Sequence, residues 1–125
     1  MNSPEKKPHE KLDYVEFPAN DIPATKTFFE NVFSWQFTDY GPDYTAFGDQ
    51  GLDGGFFKSD QASTTENGGA LLVFFSERLE ETLAKVEQNG GTILKPIFEF
   101  PGGRRFHFSE PSGNEFAVWA YPSEN

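Results

Sequence analysis

The sequence contains no cysteine. Disulfide frameworks, thiolate nucleophiles and cysteine-ligated zinc are therefore excluded. It also lacks an apolar run long enough to span a bilayer, and its first residues lack the apolar region of a signal peptide. Basic residues are scarce: ten Lys and Arg stand against twenty Asp and Glu, for a formal net charge of -10. Because an acidic surface repels phosphate backbones and anionic lipids, we predict that the protein binds neither nucleic acid nor membranes. The lack of cysteine, of a bilayer-spanning run and of a signal peptide predicts a cytoplasmic location.

Aromatic residues are abundant. They make up 17% of the 125 residues, and fifteen of them are Phe. Flat rings often line cavities for organic ligands, but they also fill ordinary cores, so composition alone leaves both interpretations open. The length fits one domain.

The predicted elements come in the same order twice. Alternating and helical apolar spacing predicts strands at residues 12–17, 35–40, 44–47 and 54–58, with a helix after Asn20 or Asp21. Residues 59–69 are polar and read as a linker. A strand at 70–75, a helix capped by Ser76 and strands at 92–98, 104–108 and 114–121 follow. The chain thus contains two βαβββ modules, residues 12–58 and 70–121.

This order predicts an α+β fold in which paired βαβββ modules form a curved mixed sheet around a cleft. One domain would span residues 12–121, after a flexible tail formed by residues 1–11. A ferredoxin-like βαββαβ fold is the rival, and it has too few strands for the second half of the chain.

Two stretches resemble a known family. Residues 14–22 and 28–35 combine a strand, an Asp-containing turn and a helix that ends in Val-Phe-Ser-Trp, with Ser34 in place of a usual glycine. Residues 105–119 resemble a turn of the type Asp-Pro-x-Gly-Asn and a final strand, with Glu110 in place of Asp. Both are similar to the vicinal oxygen chelate superfamily of glyoxalase and bleomycin-resistance proteins. The resemblance implies paired βαβββ modules, a ligand cleft and a homodimer.

Metalloenzymes of this superfamily bind a divalent ion through His, Glu or Gln. The resemblance puts those ligands at Tyr14, within residues 54–57, within residues 70–72 and at Ala117. None of these positions has a His or carboxylate side chain. A divalent ion needs several such ligands converging on one point. We therefore predict a branch of the family with no metal and no cofactor.

Two titratable residues are candidates for proton transfer. Strand alternation puts Tyr14 and Glu16 on one face, which we expect to line the cleft, while Val15 and Phe17 face the first helix. Glu16 among aromatic rings would suit a general base, or it is structural, paired with Arg105 or hydrogen-bonded to Tyr14. His107 shares a strand face with Arg105 and is either a second proton-transfer group or a histidine on a half-exposed strand.

Several apolar residues are candidates for the wall of the cavity. Leu72, Phe74, Trp119 and Tyr121 have the parity that the resemblance assigns to inner positions, and we add Phe57 to them. Tyr14 and Arg105 complete the predicted ligand contacts. The same residues would serve equally well as ordinary core.

Three functions fit these observations. The first is a metal-free, glyoxalase-like protein that binds a small molecule in an aromatic cavity. The second is a lyase or isomerase that uses Glu16 and His107 for proton transfer next to a carbonyl. The third is a dimeric partner protein with a vestigial cleft. The sequence does not identify the ligand.

Overall fold

The first half of the chain forms one βαβββ module. The structure is a computed structural model that describes residues 6–123. Its first five elements are β1 (Tyr14–Ala19), α1 (Ile22–Phe33), β2 (Phe37–Asp39), β3 (Tyr44–Gln50) and β4 (Leu52–Lys58).

The second half repeats this order. Its elements are β5 (Leu72–Phe75), α2 (Leu79–Gln88), β6 (Thr92–Phe100), β7 (Gly103–Ser109) and β8 (Glu115–Ala120). The predicted α+β fold of paired βαβββ modules is confirmed. No helix within residues 6–123 has both the length and the apolarity needed to cross a membrane.

Each module builds its own four-stranded sheet. The strand orders are β1-β4-β3-β2 and β5-β8-β7-β6. In each sheet the first strand runs parallel to the last strand of its module, and the remaining neighbours are antiparallel. The first strand of each module is therefore an edge strand.

Helix α1 begins and ends where local chemistry favours it. The Asp21 side chain accepts a hydrogen bond from the Ala24 backbone N–H at 3.1 Å, and Pro23 fits the first turn. The helix ends at Ser34, which adopts a left-handed conformation with φ 60° and donates its backbone N–H to the Glu30 carbonyl. The capping residue predicted from the sequence thus sets the start of the helix.

One aromatic core joins the two modules. Phe17 of β1 and Phe116 of β8 lie 5.0 Å apart between ring centroids. Phe28 of α1 lies 5.7 Å from Phe108 of β7. All four rings are almost completely buried. Each sheet therefore has a core face, which turns toward this cluster, and an outer face on its opposite side.

The facing of β5 corrects one prediction. β5 pairs with β8 so that Phe74 lies beside Val118 and Phe75 lies beside Trp119. Leu72 and Phe74 are consequently on the core face, opposite to Trp119 and not beside it as predicted. Four consecutive apolar residues give β5 no alternation from which its facing could be inferred.

The turn before β8 forms a polar joint between the modules. Glu110 accepts hydrogen bonds from the Thr25 hydroxyl at 2.9 Å, from the Asn114 side-chain amide at 2.9 Å and from the Ser112 backbone N–H. Asn114 also donates to the Pro18 carbonyl at 2.7 Å. The motif that carried the family resemblance thus fastens the second module to β1 and α1.

The predicted linker and tail also contact the modules. In the segment 59–69, Thr65 donates its backbone N–H and its hydroxyl to Glu115, at 2.8 and 2.9 Å. Of the predicted tail, residues 1–5 lie outside the described residues, and Lys7 pairs with Asp13 at 2.8 Å.

Candidate functional site

The outer face of the first sheet carries a chain of three polar groups. The Tyr44 hydroxyl donates to Glu16 Oε2 at 2.8 Å, and the Tyr14 and Tyr44 hydroxyl oxygens are 2.6 Å apart. Glu16 therefore bonds to Tyr44, whereas the structural alternative weighed from the sequence had been Tyr14 or Arg105. Tyr44 was missed because it lies two strands away from β1, with β4 between them.

The surroundings of Tyr44 hold its hydroxyl group between Tyr14 and Glu16. Burial raises the pKa of Tyr44, and its hydrogen bonds with Tyr14 and Glu16 raise it further, so the hydroxyl keeps its proton. A Cβ atom at Gly55 would collide with the Tyr44 hydroxyl. The glycine on β4 therefore makes the space through which Tyr44 reaches Glu16.

The outer face of the second sheet carries a buried imidazole–carboxylate pair. His107 Nδ1 and Glu115 Oε2 are 2.8 Å apart, and only 2% of His107 is exposed. Burial alone would raise the pKa of Glu115, but hydrogen bonds from His107 and Thr65 outweigh it and hold that pKa below its usual value. The carboxylate thus stays ionised and accepts the Nδ1 proton.

The second ring nitrogen of His107, Nε2, is not used in the contact with Glu115. Nε2 is buried and has no hydrogen-bond partner among residues 6–123. The Phe98 ring lies beside the imidazole, 5.8 Å between centroids. With Nδ1 committed to Glu115, a neutral His107 carries its free lone pair on Nε2.

The predicted Glu16–His107 pair is not formed. The two residues lie on the outer faces of different sheets, and each bonds to a partner of its own sheet, Tyr44 or Glu115. Glu115 could have been found from the sequence. The turn at residues 110–113 pairs Ser109 with Glu115, and this register puts the Glu115 side chain on the same face as His107.

Aromatic rings surround Arg105 on the same outer face. The Arg105 guanidinium lies 5.4 Å from the Phe98 centroid and 5.6 Å from that of Phe100. Trp119 lies 5.2 Å from Tyr121. Arg105, Trp119 and Tyr121 therefore share a surface with His107, as the strand parity predicted.

The other predicted contacts lie elsewhere. Phe57 is 37% exposed and belongs to the outer face of the first sheet, together with Tyr14 and Glu16. Leu72 and Phe74 line a cavity between the modules. The predicted ligand contacts thus fall into three groups: the two outer faces and this cavity.

The inter-module cavity has a volume of about 370 Å³. Both edge strands, β1 and β5, contribute to it. Among the described residues, the lining consists of aromatic and aliphatic side chains, one glycine and one side-chain amide, and it contains no charged group. The lining residues are Val15, Phe17, Trp35, Phe47, Gln50, Gly51, Leu52, Leu72, Val73, Phe74, Phe75 and Phe116.

A larger depression of about 660 Å³ lies between the end of α1 and α2. Charged side chains line it, among them Glu77, Arg78, Glu81 and Lys85. Such a solvated, charged groove is typical of a helix surface, so we centre the candidate binding site on the apolar cavity instead.

The residues present do not fit a divalent metal. Within residues 6–123, no three His, Asp or Glu side chains gather at one point. His107 and Glu115 are close, but each already binds the other, and the register neighbour of His107 on β8 is Ala117. A hard ion would lack the third donor that it needs.

Comparisons with known proteins agree with the geometry of the modules. The glyoxalase-related enzyme of Fulvimarina pelagi superposes with a TM-score of 0.75 at 14% identity, covering 89% of this chain and 88% of that one. The fosfomycin resistance protein FosX of Listeria monocytogenes gives 0.72 at 21% identity, covering 89% and 93%. Lactoylglutathione lyase of Agrobacterium tumefaciens gives 0.67 at 19% identity, covering 91% and 96%. These likenesses show the fold.

No curated protein matches the sequence. The family model of the Glyoxalase/Bleomycin resistance protein/Dioxygenase superfamily matches residues 11–118, which takes in both modules. The chain belongs to this superfamily.

Proposed function

We propose that this protein binds a neutral, largely apolar organic molecule in the inter-module cavity. The observation that carries the proposal is the lining, which offers rings and aliphatic groups without a charged side chain. Its volume of about 370 Å³ lies within the range of about 300–1,000 Å³ that is usual for small-molecule sites.

The cavity is held open by packing around it. Trp35 stacks between Phe29 and Phe47, with centroid distances of 4.3 and 4.2 Å. Phe74 stacks on Phe33 at 4.1 Å. Because these rings are already fixed by their neighbours, a ligand would meet a preformed wall and would order few side chains on binding.

Naphthalene, a neutral aromatic probe, tests this proposal. In a Trp119→Phe background the remaining indole is Trp35, and its fluorescence reports binding to the cavity. We expect saturable quenching, and we expect Leu72→Phe to weaken binding about tenfold because the larger ring fills the cavity; tenfold corresponds to about 1.4 kcal/mol.

Leu94→Phe is the matched control, because Leu94 is exposed and lies outside the cavity. It should leave the affinity unchanged, and circular dichroism checks that both variants fold. Equal affinities in the two variants would overturn the proposal, as would the absence of saturable quenching.

The pair formed by His107 and Glu115 favours a second candidate function. We propose lyase or isomerase chemistry in which His107 Nε2 takes a proton next to a carbonyl, with Glu115 holding the ring through Nδ1. Glu115 replaces Glu16 in the role of partner. Because Nε2 is buried, neighbouring side chains would have to move before a substrate could reach it.

Deuterium exchange into hydroxyacetone, followed by proton NMR, tests this second candidate. We expect exchange catalysed by the wild type and lost in His107→Gln, while His9→Gln, at an exposed histidine, behaves as wild type. Equal exchange in all three proteins would remove His107 from any chemistry of this kind.

We further propose a homodimer, as the family resemblance predicts. Its support is the exposed apolar patch on the outer face of the second sheet, where Val73, Phe75 and Tyr121 are 44%, 46% and 67% exposed; Val73 and Phe75 also line the cavity. A contiguous patch of this kind is typical of an interaction surface, and we assign a second copy of the chain to it. The cytoplasmic location stays a prediction from the sequence.

A further inference from the structure

The outer face of the first sheet has a chemistry different from that of the cavity. It sets one carboxylate among tyrosine rings, and we propose that it binds an organic cation that carries an ammonium group. This inference goes beyond the proposed function, because it concerns another surface and another class of ligand.

The hydrogen bonds among Tyr14, Tyr44 and Glu16 leave only acceptors open on these three groups. Tyr44 uses its one hydroxyl proton on Glu16, so the 2.6 Å contact requires Tyr14 to donate to Tyr44. Both hydroxyl protons are then committed, and the free positions are lone pairs on Glu16 and Tyr14. A ligand at this place must bring hydrogen-bond donors or positive charge.

Glu16 also lacks a cation of its own. Among the ion pairs formed within residues 6–123, none includes Glu16, which is exposed on β1. Lys7 lies at the same end of the sheet, but it pairs with Asp13 and Asp53. With a net charge of -10, the whole chain attracts cations to this carboxylate.

Two exposed tyrosine rings lie next to Tyr44, which donates to Glu16. Tyr14 is 45% exposed and Tyr40 is 67% exposed, and the Tyr40 ring lies 6.5 Å from that of Tyr44. The face of an aromatic ring attracts a cation through its quadrupole, most strongly where water is partly displaced. Rings and a carboxylate together match an ammonium group better than a neutral ligand.

The arrangement depends on one glycine. Any side chain at position 55 would collide with the Tyr44 hydroxyl, which passes over β4 to reach Glu16. The position of Tyr44 therefore depends on the missing side chain at Gly55. We expect a Gly55→Ala substitution to displace Tyr44 and to break its hydrogen bonds with Glu16 and Tyr14.

Choline and 3,3-dimethylbutan-1-ol form the decisive pair of probes, because they have the same shape and differ in the charged nitrogen. Two-dimensional NMR titration of the full chain is the measurement. We expect choline to shift the amide resonances of β1 and β3 saturably, with an affinity about tenfold or more above that of the alcohol.

Two glutamine variants separate a local site from a general charge effect. Glu16→Gln should weaken choline binding about tenfold, whereas Glu87→Gln, at an exposed glutamate of α2, changes the net charge equally and should bind as wild type. Tyr44→Phe should weaken binding without unfolding the sheet. Equal binding of the two probes, or equal losses in the two glutamine variants, would overturn the inference. Naphthalene binding in Glu16→Gln reports separately on the cavity.

Discussion

Glu110 is a buried carboxylate whose hydrogen bonds join the two modules. It lies in the turn before β8, is 2% exposed and accepts hydrogen bonds from Thr25, Ser112 and Asn114. Burial raises the pKa of Glu110, and although these hydrogen bonds lower it, burial prevails. The folded protein therefore binds a proton at this side chain more readily than the unfolded chain does.

This difference predicts a pH dependence of stability. Because the folded state holds the proton at higher pH, the contribution of Glu110 is complete below its usual pKa of 4.5 and declines as the pH rises through the raised value. The free energy of unfolding of the wild type, taken relative to Glu110→Gln, should therefore fall from pH 4.5 upward. Urea denaturation at pH values from about 4 to about 8 measures this difference in the free energy of unfolding.

Glu87→Gln is the control for this series, since Glu87 is exposed on α2. Its stability relative to the wild type should show no matching trend above pH 4.5. A difference between wild type and Glu110→Gln that stays constant, or that grows with pH, would contradict the prediction.

Residue types could be recognised from the sequence, but their partners could not. Glu16 and His107 were singled out as polar groups on strand faces. Their partners, Tyr44 and Glu115, depend on the register between strands. Alternation within one strand says which residues share a face, and it does not say which strands lie side by side.

At the scale of elements, the end of α1 is conformationally costly. Ser34 adopts φ 60°, a left-handed conformation that costs a residue with a Cβ atom roughly 1 kcal/mol. Glycine is usual at this position of a helix end because it avoids the penalty. The family that this sequence resembles usually has glycine at this position, where this chain has Ser34.

We therefore expect Ser34→Gly to raise the free energy of unfolding by about 1 kcal/mol. Chemical denaturation measures the change. Asn31→Gly, in the exposed interior of the same helix, should have the opposite effect and lower stability by about 0.5–1 kcal/mol. Destabilisation by both glycines would show that the left-handed position is not strained.

Element boundaries were most predictable where a cap was present. Asp21 and Pro23 set the start of α1 as expected. Ser76 was predicted to cap α2, but α2 begins at Leu79 after Arg78, and Ser76 accepts the Arg78 backbone N–H in a turn before it. A serine hydroxyl stabilises either arrangement, so its presence fixed the helix start only to within a turn.

At the scale of the molecule, the patch of Val73, Phe75 and Tyr121 predicts self-association. Sedimentation equilibrium should give about twice the chain mass of 14.1 kDa for the wild type. The double variant Phe75→Ser, Tyr121→Ser should sediment as the single chain, because polar side chains remove the apolar contact.

Leu12→Ser is the matched control, since Leu12 is 90% exposed and precedes β1. It should leave the dimer intact. A wild type that sediments at the mass of one chain at all concentrations would disprove this assignment of the patch.

The module order was predictable, but the way the modules meet was not. Repeated periodicity gave two βαβββ units, and the family resemblance named the fold. Phe17 and Phe116 show that the core faces of the two sheets meet, which leaves Glu16 and His107 on separate outer faces. In β5, the unbroken apolar run gave no periodicity from which this facing could be read.

The strand order has a consequence for the nascent chain. β8 lies between β5 and β7, so the second sheet stays divided until residue 120 has left the ribosome. Until then β5 has no hydrogen-bonding neighbour in its own sheet, so the backbone N–H and C=O groups along this apolar strand remain unpaired and can pair with another chain. Completion of this sheet is a late event in synthesis, whereas the first sheet needs nothing beyond residue 58.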